Sequence, residues 1–276
     1  MSATPKTAVV TGATDGIGRA AAVRLARGGW HVVVVGRNQE RCADAVRSIT
    51  ASGGSAEAAV ADLAVMADVR RVADAVRARH ARLDALVLNA NAITQERRLT
   101  SEGFEANLAV GYLGRALLQW RLEALLAETP GSQVLTVVGL DHVRMDLTDP
   151  QLARQFTARK ALMRWQWAVQ MLARESNRRG ACPVNVFMPG LVKTKILANE
   201  PQPMRALVQV ANLFFGIPVE RSAEELSSVL ERVATAGIRD GYFSRTVLKP
   251  PRDLRSKPED GAELWSWTEA TLRPWL

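Results

Sequence analysis

Tyrosine is scarce in this chain: there are two among 276 residues, Tyr112 and Tyr242, and they are accompanied by only two cysteines and three histidines. Each shortage excludes something. Cys42 and Cys182 lie far apart in different contexts, which argues against a disulfide framework and for free thiols in a reducing, cytoplasmic setting. Three histidines without a His/Cys cluster along the sequence give no metal motif, so no metal is expected. No apolar run approaches the roughly 20 residues needed to cross a bilayer, so membrane contact is not expected either. The start, Met1 to Lys6, is short and polar and does not read as a signal peptide. No Gly/Ser-rich linker, composition break or internal repeat divides the chain, so residues 1–276 read as one domain. The formal net charge is +8, but the basic residues are scattered and no aromatic platform interleaves them, so nucleic acid is not an expected partner. An arginine-rich solvated surface is one reading of that charge, and an anionic cofactor or substrate is the other.

What is present is a regular alternation. Thr7 to Val10 is a short continuous apolar run of the kind a buried parallel strand shows. A glycine-rich turn and an alanine-rich helix follow, ended by Gly28-Gly29. Further strands are expected at His31–Val35, around Ala56–Val60, at Asp84–Leu88, Gln133–Val138 and Pro183–Phe187, with a short late one at Gly241–Ser244. Strands spaced by helices in this way predict an α/β fold, a single Rossmann-type doubly wound parallel sheet of about seven strands with helices on both faces.

The turn after the first strand is Thr11-Gly12-Ala13-Thr14-Asp15-Gly16-Ile17-Gly18. Glycines there allow a tight turn and close approach of the backbone to a pyrophosphate, and the helix N-terminus offers unpaired N–H groups to the phosphates. The strand-turn-helix setting is the context this motif requires. The second strand ends in Gly36-Arg37-Asn38. A carboxylate there would suit a ribose hydroxyl, whereas Arg37 suits a 2′-phosphate, so NADP(H) is expected over NAD(H). Asp15 inside the turn weighs mildly against that preference.

These residues resemble the short-chain dehydrogenase/reductase family over almost the whole chain. The Thr-Gly-x-x-x-Gly-x-Gly motif is intact at Thr11 to Gly18. Asp62-Leu63 matches the pair that contacts adenine, and Leu88-Asn89-Ala90-Asn91 is similar to the family's Asn-Asn-Ala-Gly. Asn107 matches an active-site asparagine. Pro189-Gly190-Leu191-Val192-Lys193-Thr194 matches the segment that holds the nicotinamide carboxamide, and Ala262 to Thr268 is similar to the tail of retinol-dehydrogenase-type members. The resemblance implies a cofactor site at Gly12, Thr14, Asp15, Gly16, Ile17, Gly18, Arg37, Asn38, Asp62, Leu63, Asn89, Ala90, Lys160, Pro189, Gly190, Val192 and Thr194. It also implies a homodimer or homotetramer built on the helices after Asn107 and around Lys160.

Two departures fall on the chemistry. The family's serine at the end of the fifth strand is matched by Gly139, and its tyrosine, four residues before Lys160, by Phe156. Asn107 and Lys160 remain. A phenyl ring neither gives nor takes a proton, so reduction of a ketone by the family's route loses its acid, a loss of about 100- to 10,000-fold in rate. Three functions stay open. One is an NADP(H)-binding enzyme repurposed for imine or iminium reduction, cyclisation, dehydration or isomerisation. Another is a non-catalytic NADP(H)-binding protein. The third is a conventional reductase with a replacement acid, for which His142 is the candidate. The substrate pocket is drawn from Asn91, Gly139, Leu140, Asp141, His142, Arg144, Phe156 and Met188, a lining that favours a small apolar ligand, polycyclic or isoprenoid-like. Residues 197–218 read as a lid, a membrane or partner contact, or plain surface.

Overall fold

The β-branched run His31-Val32-Val33-Val34-Val35 has no room for amphipathic alternation, and Val32 to Val35 are all fully buried. It forms β2 (His31–Gly36), one of the inner strands of an eight-stranded sheet. In the computed structural model, residues 4–139, 142–180, 182–193, 216–250 and 252–276 are described. The other strands are β1 (Thr7–Thr11), β3 (Ser55–Val60), β4 (Ala85–Leu88), β5 (Gln133–Val137), β6 (Val184–Met188), β7 (Tyr242–Ser244) and β8 (Val247–Lys249). The order is β3-β2-β1-β4-β5-β6-β7-β8, parallel throughout except for β8, which runs back along β7. The expected sheet is therefore present, with the exposed β8 added at its edge.

Helices cover both faces and make two cores. On one face, α1 (Gly16–Arg27), α2 (Gln39–Ala51) and α7 (Val219–Ala236) pack their apolar sides on the sheet. On the other lie α3 (Met66–Arg79), α5 (Gly114–Ala127), α6 (Ala158–Arg179) and α8 (Asp260–Leu272). A single turn, α4 (Ala106–Leu108), and a π-helical turn, Ala109–Leu113, lead into α5. No helix among the described residues is long and apolar enough to cross a membrane.

The C-terminal helix packs on the helix around Lys160. Trp165 and Trp167 of α6 are 2% and 1% exposed, so neither offers an external contact. α8 lies along α6 and the turn before α5: Arg179 stacks on Trp265, Tyr112 bonds Thr268 at 2.6 Å, and Tyr112 stacks on Trp267. Residues 197–215 of the expected lid lie outside the described residues. At its far end, Ile217 N donates to Leu191 O at 2.8 Å and Lys193 N donates to Ile217 O at 3.0 Å.

Candidate active site

The ends of β1, β4 and β5 converge at the C-terminal edge of the sheet, where open α/β sheets bind ligands. The turn after β1 is shaped by backbone. Gly12 and Gly16 have φ of +67° and +51°, a region that favours glycine. A Cβ on Gly18 would collide with the Gly12 carbonyl, and one on Gly12 would come within 2.9 Å of Ala90 Cα. Thr11 fastens this turn to β4: its hydroxyl donates to Val87 O at 3.2 Å and accepts from Asn89 N at 2.9 Å and Ala90 N at 3.0 Å. Asn89 Nδ2 returns a bond to Thr11 O at 3.1 Å. Asp15 caps α1, its carboxylate accepting from Gly16 N at 2.8 Å.

Around this turn lie the other residues expected to hold a dinucleotide. Arg37 follows β2 and is exposed, Asn38 caps α2 by accepting from Arg41 N at 2.9 Å, and Leu63 is 5% exposed. Asp62 Oδ1 accepts from Ala64 N at 2.9 Å. Asn91 Oδ1 is buried without a hydrogen-bond partner among the described residues. A backbone cradle closed to any Cβ, a helix N-terminus and a basic side chain at the end of β2 form a donor set suited to a phosphorylated dinucleotide.

At the end of β5 the spaces are filled instead of left open. A Cβ on Gly139 would lie 2.8 Å from Gln166 Oε1. That same oxygen accepts from Gly139 N at 2.5 Å. A Cβ on Gly111, in the π-helical turn, would lie 2.5 Å from the Trp165 ring. Trp165 stacks on Arg115, whose guanidinium lies 4.9 Å from the ring centroid. Arg115 is 1% exposed and ties two strand ends together, donating to Ala90 O at 2.8 Å, Val137 O at 2.8 Å and Thr136 Oγ1 at 3.1 Å. Burial pushes its pKa down to about 9, so it remains a cation at neutral pH.

Several expected residues lie elsewhere or are otherwise engaged. Thr157 caps α6 by accepting from Lys160 N at 3.1 Å, so Phe156 precedes the helix and shares no helical face with Lys160. The residue of α6 that meets Gly139 is Gln166, six positions and about 9 Å of helix beyond Lys160. One turn before Gln166, on the same face, stands Leu162. Asn107 is 1% exposed and saturated: Oδ1 accepts from Thr94 N at 2.7 Å, and Nδ2 donates to Thr94 Oγ1 and Glu105 Oε1, both at 2.9 Å. It braces a loop and leaves no donor for a ligand. His142 Nε2 lies 3.2 Å from Asp253 O. Arg144 makes a bidentate pair with Asp260 in the first turn of α8, and that hydrogen bonding raises its pKa. Met188 Sδ accepts from Gly190 N at 3.1 Å, and Val192 is buried and bridges Ile217. Leu140, Asp141 and Thr194 lie outside the described residues.

Gln166, Trp165, Gly111 and Arg115 were not singled out from the sequence. Arg115 carried a signal, a lone cation inside the apolar run Leu113 to Leu118.

The short chain dehydrogenase family model matches residues 6–205. The chain belongs to that family. It is 33% identical over 276 residues to a protein of Streptomyces sp. (strain C5) with the provisional name daunorubicin C-13 ketoreductase DnrU, a match covering 97% of this chain and 92% of that protein. It is 35% identical over 254 residues to the polyprenol dehydrogenase of Mus musculus, covering 87% of this chain and 74% of the other. Among solved structures it is similar to a provisionally named NAD(P)-dependent gluconate 5-dehydrogenase of Beutenbergia cavernae, solved with NADP at low occupancy. The TM-score there is 0.68 at 27% identity, over 88% of this chain and 95% of the other.

Proposed function

We propose that this short-chain dehydrogenase family member is an NADP(H)-binding enzyme whose proton-transfer groups have been replaced, and that it acts on a small apolar molecule by chemistry that needs no tyrosine acid. The observation that carries this reading is Gln166 at Gly139 with Leu162 one turn before it. If that face of α6 is where the family's tyrosine and lysine stand, both positions are occupied by groups that do not titrate near neutrality. The serine position is Gly139, so the carbonyl-polarising hydroxyl is missing as well.

The residues present fit the cofactor. The turn Gly12–Gly18 would hold the pyrophosphate, Arg37 the 2′-phosphate, and Asp62-Leu63 the adenine. The NADP bound in the Beutenbergia cavernae relative supports the phosphorylated form. The cofactor, when bound, supplies hydride. The chain's own residues supply shape and a dry wall, which suits an iminium carbon needing hydride alone, or a cyclisation or isomerisation governed by geometry. Residues 197–218 serve as the lid in this reading.

The test is turnover of purified protein with NADPH against matched cyclic imines and ketones. Imine reduction should exceed ketone reduction by about 100-fold, the lower worth of a positioned acid. Ketone reduction as fast as that of a tyrosine-bearing relative would overturn the reading. A second reading, a cofactor-binding protein without turnover, is favoured by Trp165 and Gln166 filling the glycine spaces, and NADPH binding without turnover of either class would select it.

A further inference from the structure

The other end of the sheet holds a cluster that the active-site reading does not use. His31 opens β2, Glu57 lies in β3, and His80 follows the last turn of α3. They are separated in sequence by 26 and 23 positions, so no spacing along the chain announces them. We propose that His31, Glu57 and His80 form a binding site for one divalent transition-metal ion of the zinc class.

The geometry carries the assignment. One ligand atom from each of the three residues lies within 4.8 Å of the others. His80 Nε2 is already 3.0 Å from Glu57 Oε1, close to the separation of about 3.3 Å between neighbouring ligands on a tetrahedral zinc ion. The two imidazoles flank the carboxylate, with ring centroids 5.3 Å apart. Two imidazoles and one carboxylate form a donor set that suits zinc and its neighbours and leaves a further position for water.

The surroundings are built for a ligand side chain. His31 pairs in register with Ser55 across the β2–β3 ladder, and its Nδ1 meets Ser55 Oγ at 2.7 Å. That contact occupies one ring nitrogen and orients the other, the role an outer partner plays for a metal-bound histidine. Arg79 Nη1 holds the far carboxylate oxygen, Glu57 Oε2, at 3.7 Å and leaves Oε1 on the histidine side. All three residues are half-buried at the wall of a groove of about 670 Å³ that Thr7, Arg82 and Thr129 also line, so an ion has a route in. An ion here would join the edge strand β3 to β2 and to the end of α3, far from the C-terminal edge where the dinucleotide turn lies.

The test uses the full chain, stripped of metal by chelator and titrated with Zn²⁺ and Co²⁺. The expected result is one ion per chain with micromolar or tighter affinity, and a visible Co²⁺ absorption band. His31→Gln and His80→Gln should each weaken binding at least tenfold, and the double variant should abolish it. A measurement on the unaltered protein stands beside the variants: Zn²⁺ should shield His31 and His80, but not His142, from diethylpyrocarbonate, as mapped by mass spectrometry. Absence of binding at millimolar Zn²⁺, affinity unchanged in the double variant, or unshielded histidines would each overturn the site.

Discussion

Gly12 and Gly18 after β1, and Gly111 in the π-helical turn with Gly139 after β5, lack the same atom and have different neighbours. A Cβ on the first pair would meet the Gly12 carbonyl and Ala90 Cα of the backbone, and also the Asn89 amide that is tied to Thr11 O. A Cβ on the second pair would meet side chains, the Trp165 ring and the Gln166 carboxamide. Backbone cannot be exchanged without refolding the turn, so the dinucleotide end is fixed by geometry. A side chain can be replaced by one substitution, so the chemistry end is a plug that can be rewritten. In the proposed reading, one end of the site keeps the family's form while the other departs from it.

Rewriting the plug should give the largest effect. Gly139→Ser, Leu162→Tyr and Gln166→Lys together place a hydroxyl, a phenol and an ammonium on the face that meets β5. Ketone reduction with NADPH should rise by at least about 100-fold over the unaltered protein. The pair Gly139→Ser with Phe156→Tyr should leave it unchanged, because Phe156 precedes the helix and Gln166 still occupies the serine's space. A gain in the pair and none in the triple variant would return the chemistry to Phe156 and Lys160. At the opposite end, Gly18→Ala should weaken NADPH binding by about 100-fold, since the turn must open to admit the methyl and the amides lose their aim, at about 1.4 kcal/mol per factor of ten. Fluorescence titration reads this directly, and affinity within threefold of the parent would mean that the turn does not cradle the phosphates.

The difference between the two ends also explains what could be read from the sequence. The β1–α1 turn is local: eight consecutive residues carry the whole device, and the strand before and helix after it are visible in the same window. Most of the sheet was legible for the same reason, β1, β2, β4 and β5 being short valine- and leucine-rich runs, whereas β8 was not expected. The chemistry end depends on where α6 begins and which face it turns inward. The Phe156–Lys160 spacing has meaning only inside a helix, and Thr157, a capping residue, starts the helix after Phe156. The cap was readable, but the pairing of Gln166 with Gly139 across 27 positions was not. Asn107 shows a related gap, because the sequence gives the type of the amide and not its partners, Thr94 and Glu105.

Gly111 tests whether the plug is packed or merely nearby. Gly111→Ala gains up to about 1 kcal/mol in helix propensity, yet its Cβ would stand 2.5 Å from the Trp165 ring. The contact should win, leaving a net destabilisation of about 1–2 kcal/mol by denaturant unfolding. In a Trp165→Phe background the smaller ring should remove at least half of that cost. Equal costs in both backgrounds would show that Trp165 does not fill the glycine's space.

The smallest effect probes a proposed cofactor contact made by an exposed side chain instead of backbone. Arg37 stands after β2 with its guanidinium in solvent, so its attraction for a 2′-phosphate is screened and worth less than the glycine cradle. Arg37→Ala should lower the preference for NADPH over NADH by about tenfold, or 1.4 kcal/mol, while NADH affinity stays unchanged because the pyrophosphate turn is untouched. The preference should also shrink in the parent protein as salt rises. If NADH binding falls in parallel with NADPH binding, Arg37 acts on the fold of the β2 end and not on the phosphate, and the division between a fixed dinucleotide end and a rewritable chemistry end would have to be redrawn.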